Sequence, residues 1–134
     1  GIAKYVFTGS CFEYGLSGNT INFLDEDSNL LPTGSYATSK VISYYALKEL
    51  FSNKNATTAY LRLFQVYGES ESGNRLFPSL LKAAQSGDDF EMSDGEQVRD
   101  FIHVSHVNNY IFRLIENFHL YSIFNIFNVC SGGP

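Results

Sequence analysis

Three side chains in this sequence have the types and spacing to move a proton on and off an alcohol. Tyr36 and Lys40 stand four residues apart in Ser35-Tyr36-Ala37-Thr38-Ser39-Lys40. If the segment is helical, four residues is roughly one turn, and both side chains project from the same face. An ammonium beside a phenol favours the phenolate over the neutral form, which in a free side chain persists to a pKa of about 10. A phenol tuned in this way can exchange a proton with an alcohol near neutral pH. The third group is Ser10, in Phe7-Thr8-Gly9-Ser10, a hydroxyl placed directly after a strand-like run.

These residues need a strand and a helix to position them, and the pattern supplies both. Lys4 to Thr8 is rich in Val, Tyr and Phe and is closed by Gly9, which predicts a short strand buried on both faces, as in a parallel sheet. From Tyr36 to Phe51 the apolar residues Val41, Tyr44, Tyr45, Leu47, Leu50 and Phe51 recur at helical spacing. Thr58 to Phe64 reads as a second strand, so that strand, helix and strand form the crossover unit of a parallel sheet. Between Gly15 and Ser35 lies a polar connection rich in Gly, Asn and Asp, long enough that a role in covering a site is expected.

Downstream, the pattern predicts a loop over 68–74, a helix from Leu76 to Ser86 closed by Gly87, and a short strand at Phe90 to Met92. It then predicts a turn around Asp94-Gly95 and a strand from Val98 to Val104. Ser105 is the expected N-cap of a helix running through Phe118, and Phe124 to Val129 is a last buried strand. The chain ends on Ser131-Gly132-Gly133-Pro134, turn chemistry that leads onward, and it begins on a buried-type strand, so an unfinished domain is expected.

The 134 residues, 44% of them hydrophobic, suffice for one domain with a real core. A net charge of −5 without a dense Lys/Arg cluster argues against a nucleic-acid partner, while leaving room for a small anion held by one or two arginines. Cys11 and Cys130 make no disulfide framework and no CxxC pair, and are read as reduced thiols in a cytoplasmic protein. No run approaches the roughly 20 apolar residues that span a bilayer, so no membrane partner is expected. The sequon Asn55-Ala56-Thr57 is read as accidental. His103 and His106 lack a third ligand nearby in sequence, and no metal is expected. Gly68 and Gly73 have phosphate-loop spacing, but Asn74-Arg75 follows where Lys-Ser/Thr is required.

Four stretches in order resemble the extended short-chain dehydrogenase/reductases, and within them the NAD-dependent epimerase/dehydratase family of nucleotide-sugar enzymes. They are Phe7-Thr8-Gly9-Ser10-Cys11-Phe12-Glu13-Tyr14-Gly15, Tyr36-Ala37-Thr38-Ser39-Lys40 as YxxxK, Leu61-Arg62-Leu63-Phe64-Gln65-Val66-Tyr67-Gly68, and Asp94-Gly95-Glu96-Gln97-Val98-Arg99-Asp100-Phe101-Ile102-His103-Val104. The resemblance implies an α/β fold, a partial Rossmann-like parallel sheet with elements of a smaller substrate-binding subdomain. Residues 1–68 would be the C-terminal half of the Rossmann-like domain with its catalytic helix, 69–122 mainly the sugar-nucleotide region, and 123–134 a returning strand.

Carried over residue by residue, the resemblance implies that Ser10 hydrogen-bonds the substrate oxygen, Tyr36 is the general acid/base, and Lys40 favours its phenolate and holds the nicotinamide ribose. Thr8 and Phe64 would complete the contact with NAD or NADP. Arg99 would bind the nucleotide diphosphate, where a guanidinium fork suits two phosphate oxygens. Met92 would pack near the base, Arg75 and Leu76 would line the nucleotide pocket, and Gln65 would orient the sugar. Without the resemblance, Arg99 reads as a surface ion pair with Asp100 or Asp94, Met92 as core filling, and Tyr44 and Tyr45 as core; the resemblance implies a homodimer face as the alternative for Tyr44 and Tyr45.

Departures from the family narrow the reaction. The 4,6-dehydratases follow the catalytic hydroxyl residue with Asp and Glu, where this chain has Cys11 and Phe12, and a thiol and a phenyl ring cannot eliminate water as two carboxylates do. The 3,5-epimerising reductases carry their cysteine one position later, so Cys11 is read as structural. What remains is hydride chemistry at a sugar C4, by a 4-epimerase or a 4-ketoreductase, and Gly95 to Phe101 resembles the CDP- and dTDP-sugar 4-ketoreductase branch. No glycine-rich dinucleotide turn is present, and in relatives it lies roughly a hundred residues earlier. The alternative reading is a non-catalytic fragment or sugar-nucleotide-binding module unable to hold a dinucleotide by itself.

Overall fold

The computed structural model describes residues 3–54 and 56–133; Asn55 of the sequon and Pro134 lie outside them. Strand β1 (Lys4–Ser10) is followed by helix α1 (Gly34–Ser52), strand β2 (Thr57–Leu63), strand β3 (Gln65–Tyr67), helix α2 (Leu76–Ser86), strand β4 (Phe101–His103), helix α3 (Val104–Glu116) and strand β5 (Phe124–Val129). Strands β1, β2 and β5 form one parallel sheet in the order β1-β2-β5, and β3 pairs with β4 in a second parallel ribbon. The register sets Lys4 against Thr57 and Ser10 against Leu63, so Ser10 ends its strand beside the end of β2.

Alternation along β2 explains the layering. Ala59 and Leu61 join Val107 and Leu114 of α3, with Ile102, Phe118 and Val129, in the main core. Thr58, Tyr60 and Arg62 point to the opposite face, where the Tyr60 ring lies 5.2 Å from that of Tyr44 on α1. The sheet is thus covered by a helix on each face, the arrangement that makes parallel strands read as continuous apolar runs. On α1 the buried residues Ala37, Tyr44 and Phe51 form one seam at seven-residue spacing, and Phe51 packs against Tyr5 and Phe7 of β1.

Several sequence-based boundaries change. β1 continues two residues past Thr8, because Gly9 and Ser10 keep their pairing with Arg62 and Leu63. The expected strand at Phe90–Met92 is irregular chain, and the one expected over Val98–Val104 shrinks to β4, which pairs with the short β3 after a break at Phe64. Ser105 is not the N-cap of α3. His103 is, its Nδ1 accepting from the Ser105 N–H at 3.3 Å, so the helix starts at Val104. It ends at Glu116, with Phe118–Leu120 forming a separate tight turn. Gly87 closes α2 as expected, with φ 72° in the left-handed region that glycine adopts without strain.

The long connection after Gly15 is not free of structure. Leu16–Asn19 forms a 3-10 turn, and Gly15 bridges to Leu31 at φ 50°, where a Cβ would strike the Leu31 carbonyl. Glu26 crosses to β5, accepting from the Asn128 N–H at 2.6 Å.

Candidate active site

Ser10 is the last residue of β1 and the N-cap of the tight turn Cys11–Glu13. Its Oγ accepts from the Phe12 N–H at 3.3 Å, which occupies a lone pair and leaves the hydroxyl able to donate. Tyr36 and Lys40 sit in the first turns of α1, one turn apart as their spacing predicts. Tyr36 is 57% exposed, with the edge of Phe12 packed at 6.2 Å between ring centroids. The Lys40 ammonium lies 5.9 Å from the centre of the Tyr36 ring and donates to the Thr8 carbonyl at 3.2 Å.

These groups face one open cavity of about 890 Å³ at the carboxyl ends of β1 and β2. Thr8 and Ser10 reach it from β1, Tyr36 and Lys40 from α1, Phe64 from the β2–β3 break and Gln65 from the start of β3. Arg75 and Leu76 reach it from the start of α2, and Met92 and Arg99 from the irregular segment before β4. The ten residues to which the resemblance assigned a site role therefore line the same cavity.

Met92 is 62% exposed, so it fills no core. Arg99 is exposed and makes no ion pair with Asp94 or Asp100; its Nη1 donates to the Val98 carbonyl at 3.2 Å. Asp100 instead accepts from the backbone N–H groups of Ser131 and Gly132 at 2.7 and 3.2 Å. Glu71, which no sequence pattern marked, also lines the cavity, and its buried Oε2 has no hydrogen-bond partner among the described residues. It is an acceptor suited to a ligand hydroxyl.

A second cavity of about 490 Å³ adjoins the first through Phe12, Phe64, Gln65 and Arg99, with the connection after Gly15 forming one wall. Cys11 and Cys130 both line it. Burial pushes the Cys11 thiol up to about 11, and burial also raises Cys130, so both stay protonated near neutrality. A protonated thiol is a poor nucleophile, in keeping with a structural Cys11. His103 has both ring nitrogens engaged, Nδ1 with Ser105 at 2.8 Å and Nε2 with the Glu69 carboxylate at 3.5 Å.

Beneath the cavity floor lies a network that sequence reasoning missed. Glu13 and Arg62 are 0% and 1% exposed and paired at 2.9 Å. Arg62 also donates to the Tyr14 hydroxyl and the Glu26 carbonyl, each at 3.0 Å, and its guanidinium stacks between the Tyr14 and Tyr44 rings. Burial opposes the Arg62 charge, but the hydrogen bond to Tyr14 and the Glu13 carboxylate outweigh it and hold its pKa above the usual value. The signal was an arginine inside a strand whose other residues are buried, since such a charge requires a partner.

A parallel sheet with a helix on each face, and a cavity at the carboxyl ends of its strands, defines a Rossmann-like α/β protein, a class whose ligands bind in that crevice. The chain belongs to the NAD dependent epimerase/dehydratase family, whose sequence model matches residues 1–130. It is 30% identical over 121 residues to the UDP-glucose 4-epimerase of Rhizobium meliloti, an alignment covering 78% of this chain and 36% of that enzyme. Among solved structures it resembles the UDP-N-acetylglucosamine 4-epimerase of Methanobrevibacter ruminantium in complex with UDP-N-acetylmuramic acid, with a TM-score of 0.70 and 25% identity. That match covers 98% of this chain and 52% of the other. The fold also superposes on the dTDP-glucose 4,6-dehydratase of Bacillus anthracis in complex with NAD, at a TM-score of 0.85 and 21% identity, over 97% of this chain and 41% of that one. The chain thus spans well under two thirds of the length of these relatives.

Proposed function

We propose that the protein carrying this chain is an NAD(P)-dependent oxidoreductase or epimerase acting at C4 of a nucleotide sugar, as a 4-epimerase or a 4-ketoreductase. The observation that carries the reading is the convergence of Ser10, Tyr36 and Lys40 on one cavity, with the Lys40 ammonium beside the Tyr36 ring. Ser10 donates to the sugar O4 and Tyr36 takes the O4 proton or returns it. Lys40, held on the Thr8 carbonyl, stabilises the phenolate as it forms.

The donor set suits the ribose end of a nicotinamide cofactor. Lys40 supplies an ammonium, Thr8 and Gly9 backbone approach, and Phe64 an apolar wall. When bound, that cofactor supplies reversible hydride transfer at C4. Arg99, paired with no carboxylate among the described residues, is the candidate for the diphosphate, with Arg75, Leu76 and Met92 toward the base and Glu71 open to a hydroxyl. Cys11 and Phe12 supply neither a general acid nor a base, which disfavours dehydration. Residues 1–68 would then be the catalytic half of the nucleotide-binding domain, and 69–122 the main sugar-nucleotide region.

The test is turnover by the full-length protein, followed through NADH or NADPH, with UDP-glucose, UDP-galactose and 4-keto sugar nucleotides. Sugar-nucleotide binding with no turnover by either cofactor would transfer the reading to a non-catalytic binding module; neither binding nor turnover would sink both.

A further inference from the structure

Ser10 and Lys40 are thirty residues apart in sequence, and one buried carboxylate joins them. Glu13 Oε1 accepts from the Ser10 backbone N–H at 2.8 Å and from the Tyr60 hydroxyl at 2.9 Å. Oε2 accepts from Arg62 Nε at 2.9 Å. The Tyr60 hydroxyl lies 3.3 Å from the Lys40 carbonyl, so its one proton is shared between the carboxylate and the turn of α1 that carries Lys40. Burial is the main reason Tyr60 keeps that proton, and the Glu13 charge adds to it.

Gly9 is part of the same device. A Cβ at that position would collide with Glu13 Oε1 and the Tyr60 ring, so the glycine admits the carboxylate beneath the strand end. A buried ion pair is often no more stabilising than well-packed apolar residues, and the best-attested gain from such a pair is a fixed arrangement. What this pair fixes is the end of β1 against the start of α1, the two elements that bear Ser10, Tyr36 and Lys40.

We propose that Glu13 is a positioning residue, whose carboxylate, through Ser10 on one side and Tyr60 on the other, sets the separation between the Ser10 hydroxyl and the Lys40 ammonium. Its kinetic consequence rests on the proposed C4 chemistry; its geometric consequence does not.

The test uses the full-length protein with Tyr60→Phe, which leaves the Glu13–Arg62 pair intact, and with Glu13→Gln. Crystal structures give the Ser10 Oγ to Lys40 Nζ separation. Steady-state kinetics give kcat and KM, and thermal melting reports stability. The expected result for Tyr60→Phe is a change of about 0.5 Å or more in that separation, a geometric error large enough to impair a site. A fall in kcat of roughly 10-fold, with KM within about 2-fold, should accompany it. A lower melting temperature with separation and kcat unchanged would make the network ordinary core and overturn the proposal. If Glu13→Gln does not fold, Tyr60→Phe decides alone. If the wild-type protein turns over no nucleotide sugar, the C4 reading fails while the measured separation still decides the role of Glu13.

Discussion

Tyr36 reaches the cavity with more than half its surface exposed, and Lys40 stands beside its ring instead of pairing with a carboxylate. In the full-length protein, Tyr36→Phe should lower kcat by about 10² to 10⁴, the usual span for a lost general acid/base. It should leave the sugar-nucleotide Kd, measured by calorimetry, nearly unchanged, and equal losses in both would count against proton transfer. Cys11 makes a different prediction. Its thiol is held at about 11 against an ordinary 9.0, so the folded chain keeps this proton more tightly than the unfolded chain does. The resulting stability is fully present below pH 9.0 and disappears as pH rises to about 11, a loss on the order of 2 kcal/mol. Denaturant midpoints measured across that range should fall less steeply for Cys11→Ala than for the wild type; equal slopes would refute the assignment. The ten residues expected at the site, which line one cavity, were legible because YxxxK, the strand-end serine and the Arg99 block are local patterns. Glu13 was not, because its partners Tyr60 and Arg62 lie 47 and 49 residues away and only the parallel register brings them beneath Ser10.

At the scale of elements, β2 carries the burden, since it is central in its sheet and presents Arg62 inward. Arg62→Met removes the only cation paired with Glu13 among the described residues and leaves a fully buried carboxylate, which should cost about 3–5 kcal/mol in urea unfolding. Adding Glu13→Leu should recover a large part of that loss, because the unpaired charge is then gone; a double variant no more stable than the single one would argue against the pair. Gly9→Ala should destabilise by about 1–3 kcal/mol as its methyl displaces Glu13 and Tyr60. The longer elements were legible from periodicity, β1, α1, β2 and β5 most clearly. The short ribbon was not: β3 and β4 have three residues each, too few to show alternation, and their pairing depends on partners 36 residues apart. His103 displaced Ser105 as the cap of α3 because the imidazole nitrogen takes the same N–H that a hydroxyl would, an option outside the usual Ser/Thr/Asp/Asn signature.

For the whole molecule, the sequence conveyed a parallel sheet flanked by helices because strands buried on both faces are apolar throughout. It could not say what covers each helix. On α1 the seam of Ala37, Tyr44 and Phe51 is buried on the sheet, while Ile42, Tyr45 and Leu50 on other sides of the same helix are 64, 57 and 58% exposed. A helix with apolar residues beyond its buried stripe has a second partner to satisfy. A homodimer would supply one if α1 of each copy packed against its counterpart about a two-fold axis, where Ile42 and Tyr45 on neighbouring turns would meet their own equivalents. Ile42→Asp with Tyr45→Asp would then place four carboxylates in one apolar contact, a cost of several kcal/mol per assembled pair. Light scattering of the full-length protein should give a dimer for the wild type and a monomer for the double variant, with circular dichroism unchanged. A wild-type monomer, or a variant that stays dimeric, would rule out this face of α1 as the dimer contact.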